Sequence, residues 1–148
     1  MQMAHLLPIL ALLGAGSVLA IQAPINAALA RGLGDPVIAA CINFFVGFLV
    51  LLIVNLIRGS SPQDGALTIT PLWAFVGGAL GACYIVSLIW AIPQTGALTA
   101  AAATIFAQLA MALILDRIGA FGLPVQEITW PRVAGLALVM AGLLLSRM

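Results

Sequence analysis

No aspartate, glutamate, lysine, arginine or histidine falls near the middle of the five long apolar runs that make up most of this chain. The runs cover roughly residues 6–30, 37–57, 72–92, 97–115 and 132–146. A helix needs about 20 mostly apolar residues to cross the hydrocarbon of a bilayer, and the last run reaches that length only with its flanks. Of 148 residues, 64% are hydrophobic and 6% charged, whereas an ordinary soluble domain carries about 25% charged residues. Polar surface that scarce cannot clothe a soluble fold. The chain therefore reads as an all-α integral membrane protein, with five transmembrane helices in a single domain over residues 1–148. That leaves no room for a separate soluble domain.

The breaks between runs carry recognisable turn chemistry. Arg31-Gly32-Leu33-Gly34 closes the first helix with a glycine stop. Asp35-Pro36 then opens the second, with aspartate as cap and proline at the first helical position. Arg58 to Gly65 is a solvated loop by composition, and Thr70-Pro71 restarts the chain. Pro93-Gln94-Thr95-Gly96 reads as a tight turn, and Asp116 to Pro131 as the longest loop. The first apolar run is longer than a signal-peptide core and has no basic residue before it, so it reads as a retained helix. Trp73 and Trp130 each open a helix beside a proline, where the membrane–water interface favours tryptophan.

Every basic residue is an arginine. Five spans place Arg58, Arg117 and Arg132 on the side of the N-terminus and Arg31 and Arg147 on the other. So small a bias barely selects an orientation under the positive-inside rule. Insertion both ways round, giving an antiparallel pair, is the sharper reading; a fixed, cytoplasmic N-terminal side is the plainer one. Small residues favour close helix contact, with Gly77 and Gly81 at GxxxG spacing and Gly135 and Gly142 nearly on one face.

The charges are few, net +1, and unclustered, which argues against nucleic acid as a partner. Asp35, Asp64, Asp116 and Glu127 lie at helix ends or in loops. Asp116 is followed by Arg117, and a local ion pair or interfacial anchor accounts for both. No nucleophile with a base, no metal-ligand spacing and no phosphate loop is present, so neither catalysis nor a cofactor or metal is expected. Cys41 and Cys83 read as packed small residues.

What remains inside the runs is neutral. Gln22 and Asn26 lie four residues apart and share a helical face, with Pro24 between them removing a backbone donor. Asn43 lies on the second helix, and Thr104 and Gln108 share a face of the fourth. On the third helix Cys83, Ser87 and Trp90 form one narrow face, with Tyr84 beside it. Hydrogen bonding between helices explains any one of these, at about 0.6 kcal/mol each. Four carboxamides in so apolar a bundle point instead to a cavity between the first, second and fourth helices. Its solute contacts are expected at Gln22, Asn26, Asn43 and Gln108, with Tyr84 and Trp90 as secondary candidates.

The segment QAPINAALARGLGDPVIAACINFFVG, residues 22–47, resembles the opening of the small five-helix YdcZ-like proteins of the bacterial inner membrane, within the drug/metabolite transporter superfamily. Trp73 with Gly77 to Ala82, Pro93 to Gly96, Gln108 leading to Asp116 through Gly122, and Arg132 to Gly135 continue the resemblance in order. It implies a half-size chain that pairs antiparallel, as a homodimer or with an oppositely oriented paralogue. It also implies export of small molecules; with the carboxamides above, the expectation is a dimer that moves a small organic solute by alternating access. The sister small multidrug-resistance proteins carry a glutamate in their first helix; this chain has none there, so their proton-antiport mechanism does not transfer. The rival expectation is a non-transporting membrane subunit that stabilises or regulates a partner.

Overall fold

The computed structural model describes residues 3–62, 66 and 70–146, with side chains from residue 8 onward. The His5 side chain, residues 63–65 of the expected second loop and Arg147 lie outside that description. Five helices account for most of the described residues: α1 (Met3–Leu33), α2 (Pro36–Arg58), α3 (Val76–Thr95), α4 (Ala97–Ile118) and α5 (Trp130–Leu145). A short 3-10 turn, Leu72–Phe75, leads into α3, and another, Ala120–Gly122, follows α4. Four helical stretches are long and apolar enough to cross a membrane: residues 8–33, 36–58, 72–95 and 97–118. With 16 residues, α5 extends about 24 Å at 1.5 Å per residue, less than a hydrocarbon core of about 30 Å.

The chain divides into two compact units, Met1–Gln94 and Thr95–Met148. In the first, α1 and α2 form a tight antiparallel hairpin. The helix expected to end near Ala30 continues unbroken through Pro24 and past Gly32 to Leu33. Gly34, at φ +77°, makes the turn, and its N–H donates to the Ala30 carbonyl at 2.8 Å. A left-handed residue is what stops this helix, and glycine takes that conformation without Cβ strain. Asp35 then caps α2 as expected: its Oδ1 accepts from the Val37 and Ile38 N–H groups at 2.7 and 2.8 Å. The far end of α2 closes on Gly59 at φ +60°, with Ser60 N–H reaching the Asn55 carbonyl.

Small side chains allow the hairpin to close. Ala23, Ala27, Ala39 and Ala40 are buried, so the two backbones approach closely, as membrane helices do where their interfaces are small. Helix α3 joins this unit through larger side chains. Ile85 and Ile89 pack with Ala39 and Ala40, and Leu29, Ala30, Tyr84 and Val86 close the cluster. The GxxxG glycines are used unequally. The Phe44 ring of α2 lies 3.5 Å from where a Cβ on Gly81 would stand, whereas Gly77 faces open space. Gly81 therefore serves contact within the chain.

Pro93, expected in a turn, lies inside α3. Proline is tolerated here because it stands in the last turn of the helix, where it costs only the Ile89 carbonyl, four residues earlier, its backbone donor; Gln94 Nε2 donates separately to the Trp90 carbonyl at 2.9 Å. The break comes three residues later, at Gly96 with φ +79°.

The second unit is a hairpin of α4 and α5 pinned at both ends. At the loop end the Arg132 guanidinium pairs with the Asp116 carboxylate. At the open end Thr99 Oγ1 donates to the Ser146 carbonyl at 3.3 Å. Helix α4 runs three residues beyond the expected Leu115 and ends at Gly119, whose φ is +62°. A Cβ on Gly119 would stand 2.8 Å from Val125 Cγ2 and 3.2 Å from the Leu123 carbonyl oxygen. Gly122 also has positive φ, +80°, but faces open space. Gly119→Ala should therefore destabilise the hairpin by more than Gly122→Ala, since both incur about 1–2 kcal/mol of left-handed strain and only the first adds a clash. Denaturant titration in detergent micelles, with proteolytic nicking of residues 119–129 as a second readout, checks the order.

Candidate functional site

The α1–α2 hairpin gathers three of the expected carboxamides in one unit. Gln22 Nε2 donates to Asn43 Oδ1 at 3.3 Å, a half-buried bond between the helices. Asn26, one turn along α1 from Gln22, is the most buried of the three, at 4% exposure. Its carboxamide has no hydrogen-bond partner among the described residues, yet no polar atom there is wholly sealed. Its buried helical neighbours, Ala23 and Ala27, offer no side-chain polar group. Asn26 thus keeps two donors and an acceptor free within a unit otherwise closed by alanine and isoleucine.

The depth of these groups is set by helix geometry. Gln22 lies eleven residues from the end of α1 at Leu33, about 16 Å at 1.5 Å per residue. Gln108 lies at the centre of α4, ten residues from Ile118, about 15 Å from that end. Both distances are close to half of a hydrocarbon core of about 30 Å.

Pro24 does not belong to this face. It is exposed, as are Ala20 and Ile25, while Ala23, Asn26 and Ala27 are buried. The carbonyl that Pro24 cannot engage is that of Ala20, four residues earlier, and it lies along the exposed side of α1. That carbonyl is thus away from the face of the two amides: a separation of two residues, Ala20 to Gln22, is about 200° around the helix.

The remaining candidates are dispersed. Tyr84 is half-buried against the Ala39–Ala40–Ile85–Ile89 cluster. Trp90 is 63% exposed, and Cys83 and Ser87 are exposed with it. That face lies opposite the buried stripe of Ile85, Ile89 and Ile92. Ser87 satisfies itself on the Cys83 carbonyl at 2.8 Å. Gln108 belongs to the second unit and is exposed. Thr104, on the same face, turns its hydroxyl back onto the Ala100 and Ala101 carbonyls at 3.0 and 2.9 Å.

Reading the sequence alone missed the partner of Asp116. The carboxylate pairs with Arg132 across the loop, not with its neighbour Arg117. Arg132 also donates to the Glu127 carbonyl at 3.3 Å, and Gln126 N–H reaches the Asp116 carbonyl at 2.9 Å. A signal for this pairing was present. An acid in the last turn of one helix and a base in the first turn of the next each oppose their own helix dipole. In an antiparallel hairpin each then lies beside the favourable end of its neighbour.

Residues 7–145 match the family model described as "Putative inner membrane exporter, YdcZ". The chain belongs to that family. No curated protein and no solved structure matches it. As a YdcZ-family member with four helices able to span a bilayer, it is a multi-pass protein of the inner membrane. The sequence resemblance to YdcZ-like proteins is thereby upheld across nearly the whole chain.

Proposed function

We propose that this YdcZ-family chain exports a small organic solute held by neutral hydrogen bonds deep in the membrane, and that Asn26 is the centre of its binding site. The carrying observation is the Asn26 carboxamide, buried and unpartnered among the described residues. A fully sealed, unpaired polar group costs about 1–3 kcal/mol; the Asn26 amide keeps a little exposure and bears part of that cost, which is higher where lipid replaces water. A group retained at that cost has a use when a ligand pairs with it. Gln22 and Asn43, bonded to one another beside it, form the adjoining polar wall. Gln108 on α4 is a further proposed contact, with Tyr84 and Trp90 as aromatic flanks.

Transporters commonly place the solute near the midplane, between two oppositely oriented halves. The working unit proposed here is an antiparallel dimer of five-span chains, operating by alternating access. The near-even arginine distribution supports dual insertion.

The test uses cells expressing the chain, with untargeted mass spectrometry of the medium. Solutes exported by this protein should appear with the wild type and disappear when Gln22 and Asn26 are both replaced by leucine. Single cysteines in the 59–71 and 119–129 loops, in a Cys41- and Cys83-free background, should label from both sides of the membrane. A medium unchanged by the protein, together with labelling from one side only, would favour the accessory-subunit reading.

A further inference from the structure

The second unit holds a feature that export does not use. An apolar groove of about 420 Å³ runs between α4 and α5, lined by Leu109, Ala112, Leu113, Gly135, Leu136 and Val139. Asp116 and Arg132 close it at the loop end. We propose that this groove seats a phospholipid with a primary-ammonium headgroup, its acyl chain in the apolar trough and its zwitterion on the Asp116–Arg132 pair.

Three observations carry the assignment. First, the groove descends from the helix ends into the apolar spans. From Arg132 to Val139 it follows two turns of helix, about 10 Å, and its walls are alkyl below the ion pair. A volume of this size falls within the range of about 300–1,000 Å³ typical of ligand pockets. Second, the charged end lies at headgroup level. Trp130, two residues before Arg132, is 80% exposed at the start of α5, where interfacial tryptophans sit.

Third, the charges select the headgroup. Arg132 already uses one nitrogen on Asp116 and another on the Glu127 carbonyl. A purely anionic headgroup must take the guanidinium from Asp116 and leave that carboxylate unpaired. A zwitterion offers an ammonium to Asp116 in exchange for a phosphate on Arg132, so no charge is stranded. A primary ammonium donates hydrogen bonds to the carboxylate, whereas a quaternary one has no N–H to give. Phosphatidylethanolamine therefore fits better than phosphatidylcholine or phosphatidylglycerol.

Gly135 gives a clean means of testing this. It lines the groove, and a Cβ there meets nothing within 4 Å. Gly135→Leu puts an alkyl side chain into the trough from a Cβ that has open space, and leucine suits a helix better than glycine does. The experiment reconstitutes the full chain, with Trp73 and Trp90 replaced by phenylalanine, into bilayers of a non-brominated host lipid. Quenching of Trp130 fluorescence is then compared for phosphatidylethanolamine, phosphatidylcholine and phosphatidylglycerol brominated near the top of their acyl chains. Phosphatidylethanolamine should be enriched at Trp130 by about three- to tenfold over the other two, the ratio that one net hydrogen bond provides. Gly135→Leu should return it to the bulk level, and Asp116→Asn should erase the preference over phosphatidylcholine. Arg117→Gln, which removes a nearby charge outside the groove, should leave the preference intact. Equal quenching by all three lipids, preference for phosphatidylglycerol, or full enrichment in Gly135→Leu would each overturn the proposal.

Discussion

Replacing Asn26 with leucine should remove solute export while leaving the α1–α2 hairpin as stable as before, or slightly more so. The two side chains have the same number and branching of heavy atoms, leucine being the bulkier, so the packing against Ala23 and Ala27 changes little in shape. What changes is polarity. The carboxamide is 4% exposed and bonded to no described residue, so its partial burial opposes folding by at most about 1–3 kcal/mol. Leucine relieves that cost. If the solute takes one hydrogen bond from Asn26, its loss weakens binding on the order of tenfold. Gln22→Leu should behave in the opposite way on stability. It breaks the 3.3 Å bond to Asn43 and strands an amide, at about 0.6 kcal/mol and up to about 1.7 in membrane proteins. Comparing the two variants by SDS-induced unfolding and by export separates a binding group from helix glue. Should Asn26→Leu destabilise as much as Gln22→Leu and export continue, the site assignment fails.

That contrast also marks what the sequence could reveal. Spacing alone places Gln22 and Asn26 on one helical face, and composition makes that face significant. Local punctuation was legible too: Asp35-Pro36 opens α2 as its chemistry requires, and Gly34, Gly59, Gly96 and Gly119 all adopt positive φ where helices stop. The boundaries shifted where two breakers competed. Gly32 lies two residues too early and stays helical, while Gly34 takes the left-handed turn. Pro93 remains inside α3 because it stands two residues from the helix end, where it costs only the Ile89 carbonyl its backbone donor, a position that a rule reading proline as a stop does not distinguish.

Beyond the dipole signal at Asp116 and Arg132, pairings between helices were not legible, for a physical reason. Gln22 with Asn43 and Asp116 with Arg132 depend on how two helices are offset along their axes. That offset follows from the packing of alanines and from the length of the turn, and no residue type encodes it. The same limitation hid the groove beside Gly135, since a glycine in an apolar helix reads as a contact whether or not a neighbour arrives. It also hid the division of labour on α3, where Ile85 and Ile89 face the hairpin and Trp90 faces away.

The hairpin's reliance on small side chains leads to the second large effect. Ala39 is 0% exposed and lies in the cluster with Ala40, Ile85 and Ile89. Ala39→Leu should destabilise the first unit by about 1–3 kcal/mol, the usual cost of overpacking a filled interior. Lipid makes this sharper than it would be in water. Separating membrane helices exposes leucine to hydrocarbon that solvates it as well as the protein does, so no hydrophobic gain offsets the lost contact. A substitution at Ile38, exposed next door, should have almost no effect by the same reasoning. The decisive comparison is the double variant Ala39→Leu with Ile89→Ala, which roughly restores the cluster's volume. It should recover much of the loss on unfolding in mixed micelles, because residues in contact couple and distant ones do not. Additive losses in the double variant would mean that Ala39 and Ile89 do not share a packing site, and that α3 is held to the hairpin elsewhere.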